Sequence, residues 1–265
     1  MCKIKKKKII VRAGWEPTLN YQNWNINFVK YLILILNSFL SYKLSNKIIV
    51  TSNEIKSFIN KKYFINLNKI KVIPNAVDIN KFKKLKRIKY TNRAITISRL
   101  EKQKNIFTLL NICELSNLNL DIIGTGTQLN EIKKFAKKKN LDVRFFGQIE
   151  NDEIPNFLSK YKFYITSSTI EGSPKTIMEA MSSELPIFGL KARGLNFLVK
   201  NGKTGYLYSN IKNLSKKIIE FKNNQKILKN LGLNGRNLIK KNFKFEKNIN
   251  LENKIIEKLI NEKKY

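Results

Sequence analysis

The chain has 265 residues, 42% hydrophobic and 11% aromatic, which is enough apolar material for one large or two modest globular domains and excludes a disordered polymer. Its 52 Lys and Arg against 19 Asp and Glu give a formal net charge of +33, and the absence of histidine excludes His-ligated zinc, His-based triads and imidazole general bases. Lysine is over-used in every kind of segment, so the charge reads first as composition; attraction to an anionic membrane surface is the second reading, and nucleic acid, without a recognisable binding module here, the third.

Residues 3–8 form a basic cluster, but only Ile9, Ile10 and Val11 follow before Arg12, too short an apolar run for a secretory signal. Residues 9–12 read as a strand. Residues 24–40 place Trp24, Phe28, Leu32, Ile35, Leu36 and Phe39 at helical spacing. The most apolar window, 31–36 within 24–44, is bounded by Lys30, Asn37 and Lys43 and is too short to cross a bilayer. A cytoplasmic location is therefore expected, with the inner face of the membrane as the alternative. Residues 48–51 are a second strand, 52–61 a helix capped by Ser52 or Asn53, and 70–73 a third strand ended by the Pro74-Asn75 turn. Cys2 and Cys113 are far apart and match neither metal-site nor disulfide spacing.

After a polar link at 76–91 the alternation restarts. Strands are expected at 94–98, 120–123, 143–146, 163–166 and 186–189, and helices at 106–115, from the Gly124-Thr-Gly126 turn to about 139, at 152–159 and at 173–184. Such alternation is the signature of a parallel sheet wrapped by helices, an α/β fold. Beyond Ser209 the chain reads as helical. Phe245, Ile249, Ile256 and Ile260 fall on one face of a last helix, where a core-packing role is expected.

The most informative segment is Glu171-Gly-Ser-Pro-Lys-Thr-Ile-Met-Glu179, directly after the 163–166 strand. Ser173 is a good N-cap and Pro174 suits the first helical position, so a helix should open there with free N–H groups facing the carboxyl edge of the sheet. Open α/β sheets bind ligands at that edge, and a helix start favours an anion. Gly172 lets backbone approach closely, and Glu171 and Glu179 are carboxylates able to accept hydroxyl groups of a polyol. A capping loop followed by an ordinary helical glutamate is the alternative. Arg99 and Lys104, in the loop after the 94–98 strand, could hold phosphate oxygens, although basic residues in a Lys-rich chain are weak signals on their own. Gly124-Thr-Gly126 resembles a dinucleotide fingerprint, but Leu129 replaces its third glycine, and a tight turn bordering the cleft is the better reading.

Seven strings stand in one order: Val72-Ile-Pro-Asn-Ala-Val-Asp78; Ser98-Arg-Leu100 with Lys104; Ile123-Gly-Thr-Gly126; Phe145-Phe-Gly-Gln148; the Glu171 and Glu179 pair; Glu179-Ala-Met181 with Leu185-Pro-Ile187; and Asn201-Gly202 with Thr204-Gly-Tyr-Leu207. Together they resemble the GT-B glycosyltransferases, specifically the retaining family 4 group (the glycosyl transferases group 1 domain), with Ala76 where that family usually has glycine. The resemblance implies a nucleotide-sugar donor, UDP- or GDP-linked, a glycan or lipid-linked acceptor, and a role in polysaccharide or glycolipid assembly. It implies that Arg99 and Lys104 hold the donor diphosphate, that Gly124, Gln148 and Ile149 border the donor and its base, and that Glu179 binds ribose. Glu171 takes the catalytic position. Gly172, Ser173, Pro174 and Lys175 face the sugar and phosphates, the amides coming from Gly172, Ser173 and Lys175 because Pro174 has no N–H. No metal or other cofactor is expected, in keeping with the absence of an Asp-x-Asp motif.

The implied fold has two Rossmann-like halves. Residues 77–243 would be a complete C-terminal donor-binding domain, residues 1–76 a remnant of the N-terminal acceptor-side domain, and 244–265 a helix packing back toward the N-terminal part. The first strand, Gly-rich loop and acceptor-side catalytic residue of that half would lie upstream of Met1. Arg12 and Glu16 are candidate acceptor contacts at its surviving cleft edge, a simple strand-end turn being the other reading. A donor-binding remnant without transferase activity, or one half of a split enzyme working with a complementary N-terminal subunit, is the alternative.

Overall fold

A computed structural model describes residues 7–14, 16, 18, 27–85 and 92–261. Cys2, Trp24, the first part of the basic cluster at 3–8 and residues 86–91 of the polar link lie outside the described residues. The chain divides into two compact units, Met1–Asn75 with Phe245–Tyr265, and Ala76–Lys244.

In the first unit, strand β1 (Ile10–Ala13), helix α1 (Phe28–Leu44), strand β2 (Lys47–Val50), helix α2 (Asn53–Tyr63) and strand β3 (Ile70–Val72) follow one another, and the strands pair in parallel in the order β1-β2-β3. Ser52, in extended conformation, accepts the Ile55 N–H at 3.2 Å and so starts α2. Glu54 in its first turn and Lys61 and Lys62 in its last suit the helix dipole. Ile48, Val50, Ile55, Ile59, Tyr63 and Ile70 form this unit's core.

The second unit holds β4 (Arg93–Ile97), α3 (Ile106–Leu115), β5 (Asn119–Ile123), α4 (Leu129–Lys138), β6 (Val143–Phe145), α5 (Ile154–Leu158), β7 (Tyr164–Thr166), α6 (Lys175–Ser182), β8 (Ile187–Leu190), β9 (Gly205–Tyr208), α7 (Ile211–Phe221) and α8 (Gln225–Asn242). Its six strands are all parallel, in the order β6-β5-β4-β7-β8-β9. Strand side chains alternate between faces, so Ala94, Leu120 and Ile122 enter one core while Ile95, Ile97 and Ile123 enter the other. Each such fully buried Ile or Leu contributes about 1.5–3 kcal/mol before entropy is charged against it. Asp121 is the polar exception in β5. It is fully buried, accepts from Arg93 Nη1 and Arg144 Nε at 2.8 Å each, is also bonded to the Tyr161 hydroxyl, and so clamps β4, β5 and β6 together.

Three expectations need correction. Helix α6 begins at Lys175 and not Ser173: Pro174 itself occupies the N-cap position in extended backbone, and the buried Ser173 turns its Oγ toward Met178 Sδ at 4.0 Å. Residues 205–208, where no strand is expected from the sequence, form strand β9. An ideal Cβ on Gly205 would meet the Ile187 carbonyl oxygen at 2.0 Å, so glycine is required by close strand approach. The last helix, α9 (Phe245–Asn261), turns Phe245, Ile249, Ile256 and Ile260 outward and buries Asn248 and Leu259. Asn248 Nδ2 donates to the Pro74 carbonyl, fixing that choice of face. Helix α1 likewise exposes Phe28, Leu32, Leu36 and Phe39, while Tyr42 points inward. Among the described residues no helix is long and apolar enough to cross a membrane.

Candidate functional site

Strand order reverses between β4 and β7, the neighbours at the centre of the larger sheet. At such a switch point the loops leaving adjacent strands diverge and open a crevice at the carboxyl edge. A cleft of about 570 Å³ lies there, walled by the loops after β4, β5 and β6 and by the first turns of α6. Five residues singled out from sequence line it, Arg99, Gly124, Gln148, Ile149 and Glu179; Ser98, Glu101, Asn151 and Thr176 join them.

Backbone hydrogen bonds zip the three loops together. Ser98 N donates to Ile123 O at 3.0 Å, Leu100 N to Thr125 O at 2.8 Å, Gln128 N to Leu100 O at 3.0 Å and Gly124 N to Gly147 O at 2.6 Å. Gly124, at φ +129°, allows the approach to Ser98, because an ideal Cβ would lie 2.0 Å from its carbonyl oxygen. Glu101 accepts from Thr127 N at 3.1 Å and Oγ1 at 2.8 Å, so it braces this wall.

The 167–174 loop leads from β7 into α6, whose first turns line the cleft through Thr176 and Glu179. Ser167 Oγ donates to the carbonyls of Lys104 (3.0 Å) and Asn105 (2.8 Å), Thr169 N to Gln103 O (2.9 Å), and Glu171 N to Arg193 O (2.8 Å). Lys104 Nζ lies 2.5 Å from Glu171 Oε1, a mostly buried ion pair. Lys104 and Glu171 are therefore brought to each other and lie outside the cleft lining, Lys104 in the segment that follows lining residue Arg99 and Glu171 in the loop that precedes α6 and its lining residue Thr176. Gly172 is half-buried, Ser173 and Pro174 are buried, and Lys175 is exposed at the helix start. The first amides of α6 have no intrahelical acceptor and give that end its partial positive charge.

Two cleft atoms are buried without a hydrogen-bond partner among the described residues, Ser98 Oγ and Glu179 Oε1. Buried polar atoms in proteins are nearly always satisfied, and these two exceptions line one cavity, where a polar ligand could complete them. Glu179 is only 2% exposed. Burial pushes its carboxyl pKa up, while the Lys175 ammonium, the Asn151 side chain and Lys81 pull the other way. Tyr164, which no sequence pattern marked, reaches from β7 to donate to Ile97 O and accept from Ile97 N, both at 2.9 Å, and stands 3.5 Å from Thr176 Oγ1. It ties β4 to α6 beneath the cleft, and burial raises its pKa.

Arg12 and Glu16 belong to the other unit. Arg12 pairs with Glu252. Glu16 is fully buried: it accepts from Thr18 Oγ1 at 2.7 Å, from Thr18 N at 3.2 Å, and from the hydroxyls of Tyr42 and Tyr63. That carboxylate is turned inward, bracing its own unit, and it helps push the Tyr63 hydroxyl, already raised by burial, up to about 12.

The parallel sheets and switch-point cleft place the molecule among the GT-B glycosyltransferases by fold. A solved Staphylococcus aureus TarM mutant, in complex with fondaparinux, alpha-GlcNAc-glycerol and UDP, superimposes with a TM-score of 0.79 at 22% identity over 93% of this chain and 50% of that one. Residues 77–238 match the glycosyl transferases group 1 family, and the chain belongs to it. An uncharacterised glycosyltransferase of Methanocaldococcus jannaschii is 30% identical over 218 residues, 81% of this chain and 60% of that protein. The UDP-Gal:alpha-D-GlcNAc-diphosphoundecaprenol alpha-1,3-galactosyltransferase of Escherichia coli is 30% identical over 62% of this chain and 48% of its own length. The chain thus spans about half the length of the curated relatives it matches.

Proposed function

We propose that this chain binds a nucleotide-sugar donor, UDP- or GDP-linked, and serves in retaining transfer of a hexose-type sugar to a glycan or lipid-linked acceptor. The observation that carries this reading is the cleft at the strand-order reversal, where Ser98 Oγ and Glu179 Oε1 are buried without hydrogen-bond partners beside Arg99. In this reading Glu179 accepts the ribose hydroxyls, and Gln148 and Ile149 border the base. Arg99, Lys104 and the start of α6, with the amides of Gly172, Ser173 and Lys175, neutralise the diphosphate. Each charge-assisted hydrogen bond is worth about 1.5–3 kcal/mol, so a few dominate donor affinity. As the bond to the sugar breaks, negative charge grows on the diphosphate, and fixed cations and helix amides then stabilise that charge most. Glu171 faces the sugar. Its ion pair with Lys104 means that a diphosphate competing for the ammonium frees a carboxylate for sugar hydroxyls. The relatives named above support UDP-sugars and an acceptor carried on a glycan or polyprenyl lipid, and the surplus of lysine suits a donor site working beside an anionic membrane.

Calorimetric titration with UDP- and GDP-sugars, followed by transfer and donor-hydrolysis assays on wild type and Glu171→Ala, tests the proposal. Saturable donor binding together with a turnover lost in Glu171→Ala supports it. Absence of nucleotide binding defeats it. Binding without transfer or hydrolysis over a broad acceptor panel reduces the chain to a donor-binding module.

A further inference from the structure

Lys81 does not line the cleft, yet it reaches a side chain that lines the cleft together with Glu179. The Asp78 carboxylate accepts from Asn80 N at 2.9 Å and Lys81 N at 3.0 Å, which fixes the backbone there as a tight turn. The next residue, Phe82, is buried, and its carbonyl accepts from Ser182 Oγ at 2.7 Å and Arg236 Nη1 at 3.0 Å, anchoring the turn beneath α6. From this fixed base Lys81 Nζ donates to Asn151 Oδ1 at 2.5 Å and also pairs with the Asp152 carboxylate. Asn151 lines the cleft beside Glu179.

An ammonium can bind only the oxygen end of an amide, since it has donors and no acceptor. Lys81 therefore fixes which way the Asn151 amide faces: Oδ1 toward Lys81, leaving the two Nδ2 hydrogens as the only polar group that side chain can offer a carboxylate. Without the ammonium the amide is free to rotate and present its oxygen, which a carboxylate repels. Charged groups near Glu179 come from every surrounding element: Lys175 from α6, 3.7 Å from Oε1; Lys81 from the turn before β4; and Arg99 and Glu101 from the loop after β4. Among them only Lys81 acts on both Glu179 and the orientation of its amide neighbour.

We propose that Lys81 is a positioning residue for donor recognition: by orienting the Asn151 amide it turns the Nδ2 hydrogens toward the Glu179 carboxylate and so helps hold that carboxylate for the ribose hydroxyls. The inference rests on the ribose role given to Glu179 above. It makes Lys81 a determinant of ribose selectivity without any contact between Lys81 and the nucleotide.

The test is calorimetric titration of the full chain with UDP and 2′-deoxy-UDP, repeated with GDP and 2′-deoxy-GDP. Wild type is expected to prefer the ribonucleotide by about tenfold to a hundredfold, the worth of one hydrogen bond to a charged acceptor. Glu179→Ala should abolish the preference. Lys81→Met should reduce it by roughly threefold to tenfold, leaving the 2′-deoxy affinity within about twofold, while Lys81→Arg retains it. Asn151→Ala, in which Lys81 keeps Asp152, should lose the same selectivity, and the double variant should be no worse than the poorer single one. If Glu179→Ala loses the preference but Lys81→Met and Asn151→Ala both keep it, the positioning role is overturned and the ribose role stands. If Glu179→Ala retains the wild-type preference, or no nucleotide binds, the ribose role itself falls and takes this inference with it.

Discussion

Replacing Gly124 by alanine should pry open the cleft, and a second glycine in the same wall provides the control. An ideal Cβ on Gly124 would sit 2.0 Å from the Ser98 carbonyl oxygen, where real Cβ atoms stay beyond 3.0 Å. The ends of β4 and β5 must therefore part by about 1 Å in a wall packed at interior density. Alanine must also adopt φ +129°, a region that L side chains rarely enter. Strain and overpacking at about 1–3 kcal/mol each predict a combined loss of roughly 2–6 kcal/mol. Gly147, whose carbonyl accepts the Gly124 N–H, has φ +68° and open space around its Cβ position, so Gly147→Ala carries only left-handed strain, about 1–2 kcal/mol. Thermal unfolding should separate the two, a fall of about 10 °C against about 4 °C, at the 2–4 °C per kcal/mol typical of this size. Calorimetry should show nucleotide affinity weakened at least tenfold in Gly124→Ala and within about threefold in Gly147→Ala, because only the first displaces the Ser98 wall. Equal shifts in the two variants would refute the close-approach reasoning.

Four further outcomes follow from the same geometry. Asp121→Ala removes a buried carboxylate from Arg93, Arg144 and Tyr161, and breaking such a cluster from one side should cost about 3–5 kcal/mol, read as a lowered denaturant midpoint with nucleotide chemistry untouched. Burial raises the Glu179 pKa, so ribonucleotide affinity should weaken as pH falls through a point above the ordinary glutamate value of 4.5; a flat affinity profile across that window counts against the ribose role. Folding runs the other way: a raised folded-state pKa gives stability that is present at acid pH and lost as pH rises through it, so Glu179→Gln should be at least as heat-stable as wild type at neutral pH. The Cys113 thiol, fully buried and pushed up to about 12, should resist alkylation in a Cys2→Ser background until the chain is unfolded.

Alternation and punctuation carried most of the fold. Helix α3 has the expected bounds because an apolar face, Ile106, Leu109, Leu110 and Cys113, lies between turns holding Asn105 and Asn117, and five of the six strands of the larger sheet announced themselves as short apolar runs, β9 with its leading Gly205 being the exception. Periodicity failed where a helix is apolar on more than one face. In α9 it found the stripe ending at Ile260, which is 58% exposed, and passed over Asn248, whose bond to Pro74 decides the inward face. At the site, loop residues next to strand ends were legible because their types suit anions and hydroxyls. Tyr164 and Lys81 were not, since a strand tyrosine and one lysine among many look ordinary until the fold brings them close to the cleft. The inward turn of Glu16 was equally invisible, because it depends on Tyr42 and Tyr63 in later helices.

The larger sheet gathers its cleft from segments near residues 98, 124, 148 and 176, none of which meets another in an unfolded chain. A nucleotide seated there would act as a rivet through four loops, so occupancy and folding of the six strands become a single equilibrium. At a ligand concentration one hundred times Kd, that coupling is worth about 2.7 kcal/mol of added resistance to unfolding. Inside a cell the supply of sugar nucleotide would then help determine how long the protein survives its proteases, as well as how fast it works.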